Sequence, residues 1–135
     1  MRSNAQPPGL DRGDHVPHFA VTTIEGTAVS YGTIWQLRNL VLIALPPGEV
    51  EPSAEYVAQF TARAAVFDGH QAQCVATRDS IPGVNPPAVI VADRWGEIVY
   101  AAAAPTTDEL PAAEAILEWL EYVQQRCPEC EGEAR

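Results

Sequence analysis

Apolar and polar positions change rhythm several times along the chain, and each rhythm predicts an element. Phe19, Val21 and Thr23 alternate with Ala20, Thr22 and Ile24, the pattern of a short half-buried strand. Glu25-Gly26-Thr27 reads as a turn, and Ala28 to Tyr31 as a returning strand. Thr33 offers a cap for a short helix through Leu37, closed by Arg38-Asn39. Leu40 to Leu45 is an unbroken apolar run bounded by turn formers, which fits a strand covered on both faces. Pro46-Pro47-Gly48 stops it. With Ser53 as N-cap, Tyr56, Val57, Phe60, Ala64 and Phe67 fall on one face of a single helix, which Asp68-Gly69-His70 ends.

Ala72 to Thr77 is the next predicted strand. Ile81-Pro82-Gly83 and Asn85-Pro86-Pro87 make a rigid connection. Ala88 to Ala92 and Glu97 to Ala101 then form a hairpin around Asp93-Arg94-Trp95-Gly96. Thr107 or Asp108 opens a last helix with the stripe Ala113, Ile116, Leu117, Leu120 and Val123 toward the core and Glu114, Glu118 and Glu121 opposite. Strand, helix and strand between Leu40 and Thr77 imply a parallel crossover, and the later hairpin adds antiparallel strands. The expectation is an α/β domain whose mixed sheet is sandwiched by helices.

The chain has 135 residues, the length of one domain. Residues 1–12 read as a flexible arm, 13–126 as the folded domain and 127–135 as an acidic tail. Eighteen acidic residues face eight Arg and no Lys, for a net charge of −10. That balance argues against nucleic acid or an anionic membrane as partner, and leaves another protein or a second copy of the chain. Without lysine there is no Schiff base and no phosphate-loop amine. No apolar run reaches the roughly 18 residues of a membrane span, and the polar start carries no signal peptide, so cytoplasm is the default compartment.

Several pieces, in their order and spacing, resemble the thioredoxin superfamily, and within it the peroxiredoxin (AhpC/TSA) and TlpA-like redoxin branch. Gly13-Asp14-His15-Val16-Pro17-His18-Phe19 is similar to the opening of that branch, and Glu25-Gly26-Thr27 to its first hairpin. Arg38-Asn39-Leu40-Val41-Leu42-Ile43 resembles the entry to its central strand, and Asp93-Arg94-Trp95-Gly96-Glu97-Ile98-Val99 its later hairpin. Pro87, ahead of Ala88-Val89-Ile90-Val91, stands where the family keeps a cis-proline. The resemblance spans about residues 13–125 and implies a thioredoxin-like fold. It also implies a catalytic cysteine just after the central strand, near the N-terminus of the next helix, where the helix dipole favours a thiolate. The matching stretch here, Leu45 to Ser53, has no cysteine, and none occurs from residue 1 to 73.

The cysteines are Cys74, Cys127 and Cys130. Cys127-Pro128-Glu129-Cys130 has three readings: a displaced redox pair, half of a zinc site shared between two subunits, or an idle terminus. In the first, Cys127 and Cys130 would be the catalytic residues of a thiol-disulfide oxidoreductase. In the second they would be metal ligands. Otherwise the sequence calls for no cofactor. His15 and His18 are spaced to join such a metal site, but read more simply as turn histidines. Cys74 shares a strand face with Ala72 and Ala76 and is expected to be a small buried hydrophobe. His70 is expected to cap a helix end. Trp35, Trp95, Trp119 and Tyr122 read as packing under loops or as a contact patch for a partner. The expected function is a redoxin-fold interaction or scaffolding module, with the oxidoreductase reading as the alternative.

Overall fold

The computed structural model describes residues 10–48 and 50–125. In chain order its strands and α-helices are β1 (Ala20–Thr22), β2 (Ala28–Ser30), β3 (Asn39–Ala44), α1 (Val50–Ala62), α2 (Ala64–Gly69), β4 (Ala72–Thr77), β5 (Ala88–Ala92), β6 (Ile98–Ala103) and α3 (Ala113–Gln125). β1 and β2 pair with each other, and the other strands form one sheet in the order β4-β3-β5-β6. β3 runs parallel to β4, with Leu42 opposite Val75, and antiparallel to β5, with Leu42 opposite Ile90.

The apolar run at Leu40 to Leu45 explains the layering. Side chains alternate across a strand, so Leu40, Leu42 and Ala44 enter one core while Val41, Ile43 and Leu45 enter the other. β5 splits the same way, with Ile90 on the first side and Val89 and Val91 on the second. All three α-helices pack on the second side, through residues such as Tyr56, Phe60, Phe67, Ile116 and Leu120. The first side is covered by the β1-β2 hairpin, the turn at Tyr31–Thr33 and the loop containing Ile81 and Val84. The mixed sheet flanked by helices is therefore present, with the helical layer gathered on one face.

Five local expectations differ from the structure. The helix expected from Thr33 to Leu37 is a 3-10 turn at Tyr31–Thr33, and the Thr33 hydroxyl closes it by donating to Ser30 O at 2.7 Å. Ser53 is not an N-cap: α1 begins at Val50, and Ser53 is fully buried in its first turn. The fixed φ of Pro52 suits that turn, so the helix starts ahead of it. The single helix expected through Phe67 breaks at Arg63, whose backbone leaves the helical region (φ −113, ψ 24). Gly69 is helical, and the left-handed residue that turns the chain is Gln71, φ 58. Finally, Thr107–Glu109 is a separate 3-10 turn. Leu110 precedes Pro111 and is extended there (ψ 157), which delays α3 to Ala113. His70 does cap α2: its N–H reaches the carbonyls of Val66 and Phe67.

The start of the described chain is well tied down. Leu10 packs against the first core, and the Arg12 guanidinium lies 5.8 Å from the Trp119 ring and 5.7 Å from the Tyr122 ring. Folded contacts thus reach into the segment expected to be an arm. The β5-β6 turn is held by Asp93, whose Oδ1 accepts the N–H groups of Trp95 and Glu97. Gly96 completes it at φ +88, and a Cβ there would lie 3.1 Å from the buried Tyr31 hydroxyl. Gly96→Ala is expected to cost about 1–3 kcal/mol through backbone strain and this contact. Urea unfolding followed by circular dichroism checks it, and an unchanged midpoint contradicts it.

Candidate functional site

The end of β3 is the first place to look, because the loop there meets the N-terminus of α1. Leu45 N–H still bonds Thr77 O at 2.9 Å, after which the two prolines and Gly48 turn the chain. Ser53 in the first turn of α1 has no exposed surface, and its Oγ has no hydrogen-bond partner. One turn on, Tyr56 donates its hydroxyl hydrogen bond to Pro111 O at 2.6 Å. Gln59 Oε1 then accepts the Ala113 N–H at 2.9 Å. These contacts lock α1 to the start of α3. Pro87 is buried, the Pro86–Pro87 bond is cis, and the Pro87 carbonyl accepts from Ala104 N–H at 3.3 Å. With the nearest sequence cysteine at position 74, this end of the sheet presents a closed, hydroxyl-bearing helix turn.

Cys74 lies elsewhere. β4 is the sheet edge, and Cys74 is exposed on it rather than buried. Its side chain shares the helical face of the sheet with Ala72 and Ala76, but α1 and α2 do not close over it. The result is a groove of about 490 Å³ whose lining includes Ile24, Val57, Phe60, Phe67, Arg38 and Cys74. The groove walls restrict hydration around the sulfur and push its pKa up to about 12, while Arg38 pulls it down. The thiol is therefore reachable yet a poor source of thiolate. Arg38 pairs with Asp68 at 2.7 Å, donates to Ala72 O at 3.1 Å and keeps its Nε buried without an acceptor.

The opposite end of the sheet gathers aromatic rings from three separate segments. His18 packs against Tyr31 and Trp35, each at a centroid distance of 5.3 Å. Trp35 Nε1 donates to Trp95 O at 3.2 Å, and the Arg94 guanidinium lies 5.9 Å from the Trp95 ring. Trp95 is 49% exposed, Trp35 38% and Leu37 67%, so large apolar surface faces solvent here. Trp119 is different: it stacks on Tyr100 at 4.8 Å, between β6 and Tyr122. Trp119 and Tyr122 stand three residues apart on one helix, whereas Trp35 and Trp95, 60 residues apart, meet only in the fold.

Cys127 and Cys130 lie outside the described residues. Among the described residues no group of three or more His, Cys, Asp or Glu is placed to hold a metal ion. His15 pairs its backbone with Glu97, and His18 is engaged with Tyr31 and Trp35. Arg12 Nη2 does donate to Tyr122 Oη at 3.2 Å, so the two ends of the described chain meet.

No protein-family model matches the sequence, and no curated protein is detectably similar to it. Solved structures do share its fold. Reduced 2-Cys peroxiredoxin from Plasmodium vivax superposes with a TM-score of 0.68 at 9% identity, covering 86% of this chain and 83% of that one. AhpC from Mycobacterium tuberculosis gives 0.64 at 14% identity, covering 90% and 97%. A cysteine-to-serine mutant of peroxiredoxin 6 from Arenicola marina gives 0.69 at 10% identity, covering 89% and 76%. The fold is thus the thioredoxin-like fold of peroxiredoxins. No helix among the described residues is long and apolar enough to cross a membrane.

Two stability effects follow from the buried hydroxyls. Ser53→Ala removes a desolvated, unpaired polar atom and is expected to raise stability by about 1 kcal/mol. A loss of stability on urea unfolding would show that the hydroxyl is satisfied in solution. Burial, reinforced by Asp93, raises the Tyr31 pKa from 10.0 to about 12, and burial raises Tyr56 as well. The folded state keeps protons that the unfolded chain gives up above about pH 10. The stabilisation is therefore complete below pH 10 and is lost as pH rises toward 12. Unfolding midpoints measured across that window check the sign.

Proposed function

We propose that this chain is a redoxin-fold protein that does not run peroxide or disulfide chemistry at the end of β3. It acts instead as a protein-interaction module, with another protein or a second copy of itself as partner. The observation that carries this reading is the pairing of two facts about opposite ends of one sheet. Where the peroxiredoxin resemblance calls for a thiolate, the first turn of α1 holds a sealed serine. A serine hydroxyl has neither the acidity nor the redox chemistry of a thiol. At the other end, Trp35, Leu37 and Trp95 stay exposed beside the buried Tyr31 and Ile34. Trp is the residue type most concentrated at the energetic centres of interfaces, and contiguous apolar exposure marks contact sites on soluble domains. The net charge of −10 disfavours nucleic acid as the occupant.

The alternative reading, a thiol-disulfide oxidoreductase or shared zinc site built on Cys127 and Cys130, is separated by the same experiments. Peroxide consumption and insulin disulfide reduction are expected at the uncatalysed rate. Turnover that disappears in a Cys127→Ser/Cys130→Ser variant would replace the interaction reading with the oxidoreductase. Native mass spectrometry of protein purified without chelator reads zinc and subunit number together. If the chain self-associates through the tryptophan surface, Trp95→Ala is expected to weaken association about 30-fold, the scale of an interface hot spot. Sedimentation velocity measures it, and an unchanged dissociation constant takes that surface out of the dimer.

A further inference from the structure

Along its outer side, β4 is open at one residue between two that are covered. Polar backbone groups alternate in direction along a strand. The carbonyls of Gln71 and Thr77 accept from Asn39 and Leu45, so even-numbered positions of β4 face away from β3. The Ala76 carbonyl takes the Ile24 N–H at 2.9 Å, and the Ala72 carbonyl takes Arg38 Nη2 at 3.1 Å. Cys74 stands between them and is exposed. Among the described residues nothing bonds its outward N–H or C=O. A docking strand needs a row of open residues. This edge offers one donor and one acceptor side by side, which is the footprint of a small molecule.

The groove beside this residue has a volume of about 490 Å³, within the range of small-molecule sites. Ile24 borders it at the Ala76 end and Arg38 at the Ala72 end, while Val57 and Phe60 of α1 form its apolar helical side. Arg38 pairs with Asp68 at 2.7 Å, so those two charges largely cancel. Glu25 is left as the unbalanced charge, on a chain of net −10. An anionic occupant is therefore disfavoured. Hydrogen bonds from a strand edge run across the strand, close to the plane of the sheet. A ring bound to both groups of Cys74 lies flat beside the strand and turns one face toward Val57 and Phe60.

We propose that this groove binds a neutral aminopurine of the adenine type, as free base or nucleoside. A ring nitrogen accepts from the Cys74 N–H, and the adjacent exocyclic amino group donates to the Cys74 carbonyl. The N–H and C=O of one strand residue point the same way, so a single neighbouring acceptor and donor satisfy both. The ring is the apolar part that covers Val57 and Phe60. The Cys74 thiol forms no bond. Phosphorylated forms bind less well, because Glu25 and the net charge of the chain oppose them. This site is separate from Trp35 and Trp95, so it stands or falls independently of the function proposed above.

The test is an NMR titration of the ¹⁵N-labelled full chain with adenine at neutral pH. A saturable shift is expected at the Cys74 amide and at the Val75 amide, which shares a peptide unit with the Cys74 carbonyl. The Trp35 and Trp95 indoles are expected to stay unmoved. Purine, which lacks the amino donor, is expected to bind about tenfold more weakly, the scale of one hydrogen bond. Adenosine is expected to bind as adenine does, and adenosine monophosphate more weakly. Cys74→Ala keeps the backbone pair and is expected to leave the affinity unchanged. Cys74→Pro removes the outward N–H at an edge position where proline is tolerated, and is expected to weaken binding about tenfold as read at Val75. The comparison with purine decides the matter even where Cys74→Pro fails to fold. The proposal is overturned if the Cys74 and Val75 amides do not shift up to the solubility limit of adenine. It is equally overturned if purine binds as tightly, which would leave an apolar pocket that does not read the strand edge. Loss of binding in Cys74→Ala would make the thiol the contact and would also overturn it.

Discussion

Leu40 to Ala44 share backbone hydrogen bonds with strands on both sides while their side chains feed two separate cores. That double pairing is the constraint on which the rest of the molecule depends. No position of β3 is exposed, so every backbone polar group in it has to find its partner in β4 or β5. Its neighbours follow from that. β4 has to arrive parallel, which needs the α1-α2 crossover, and β5 has to arrive antiparallel, which the β5-β6 hairpin then extends. Asn39, at the entrance, is the one polar side chain on the strand, and it spends its amide on the His70 carbonyl at 3.0 Å. The helix-to-strand turn and the start of β3 are thereby fastened together.

The crossover also decides where chemistry is possible. The loop after β3 delivers α1 to the end of the sheet, where its side chains bond Pro111 and Ala113 at the start of α3. In proteins of this fold a reactive group there would sit at a helix N-terminus, with its dipole available. This chain closes the position with Ser53 and two polar locks, from Tyr56 to Pro111 and from Ala113 to Gln59. Accessible apolar surface lies at the borders of the sheet, in the groove beside β4 and on the rings around Trp95.

Much of this architecture was legible in the residues. The apolar run at Leu40 to Leu45 and the two later strands follow from continuous burial. The turn at Gly96 follows from its neighbours. The elements that were misplaced are ones whose limits are set by proline geometry or by distant contacts. Pro52 pulled the start of α1 forward, and Pro111 pushed α3 back. The break at Arg63 has no glycine or proline to announce it; Arg63 instead reaches Glu114 at 3.1 Å, in another helix. Cys74 was expected inside because strand alternation assigns a face but not an edge. The order of strands across the sheet left it uncovered. The same limit hid the meeting of His18, Trp35 and Trp95, which depends on three loops converging.

Arg12, held between the rings of Trp119 and Tyr122, has a consequence for how the chain could be rewired. It fastens the beginning of the described fold to its last helix, since the side chains of Arg12 and Tyr122 touch. A linker from the end of α3 back to the residues ahead of Arg12 would close the chain into a ring. New ends could then be opened in an exposed turn such as Glu25-Gly26, leaving the double pairing of the central strand intact.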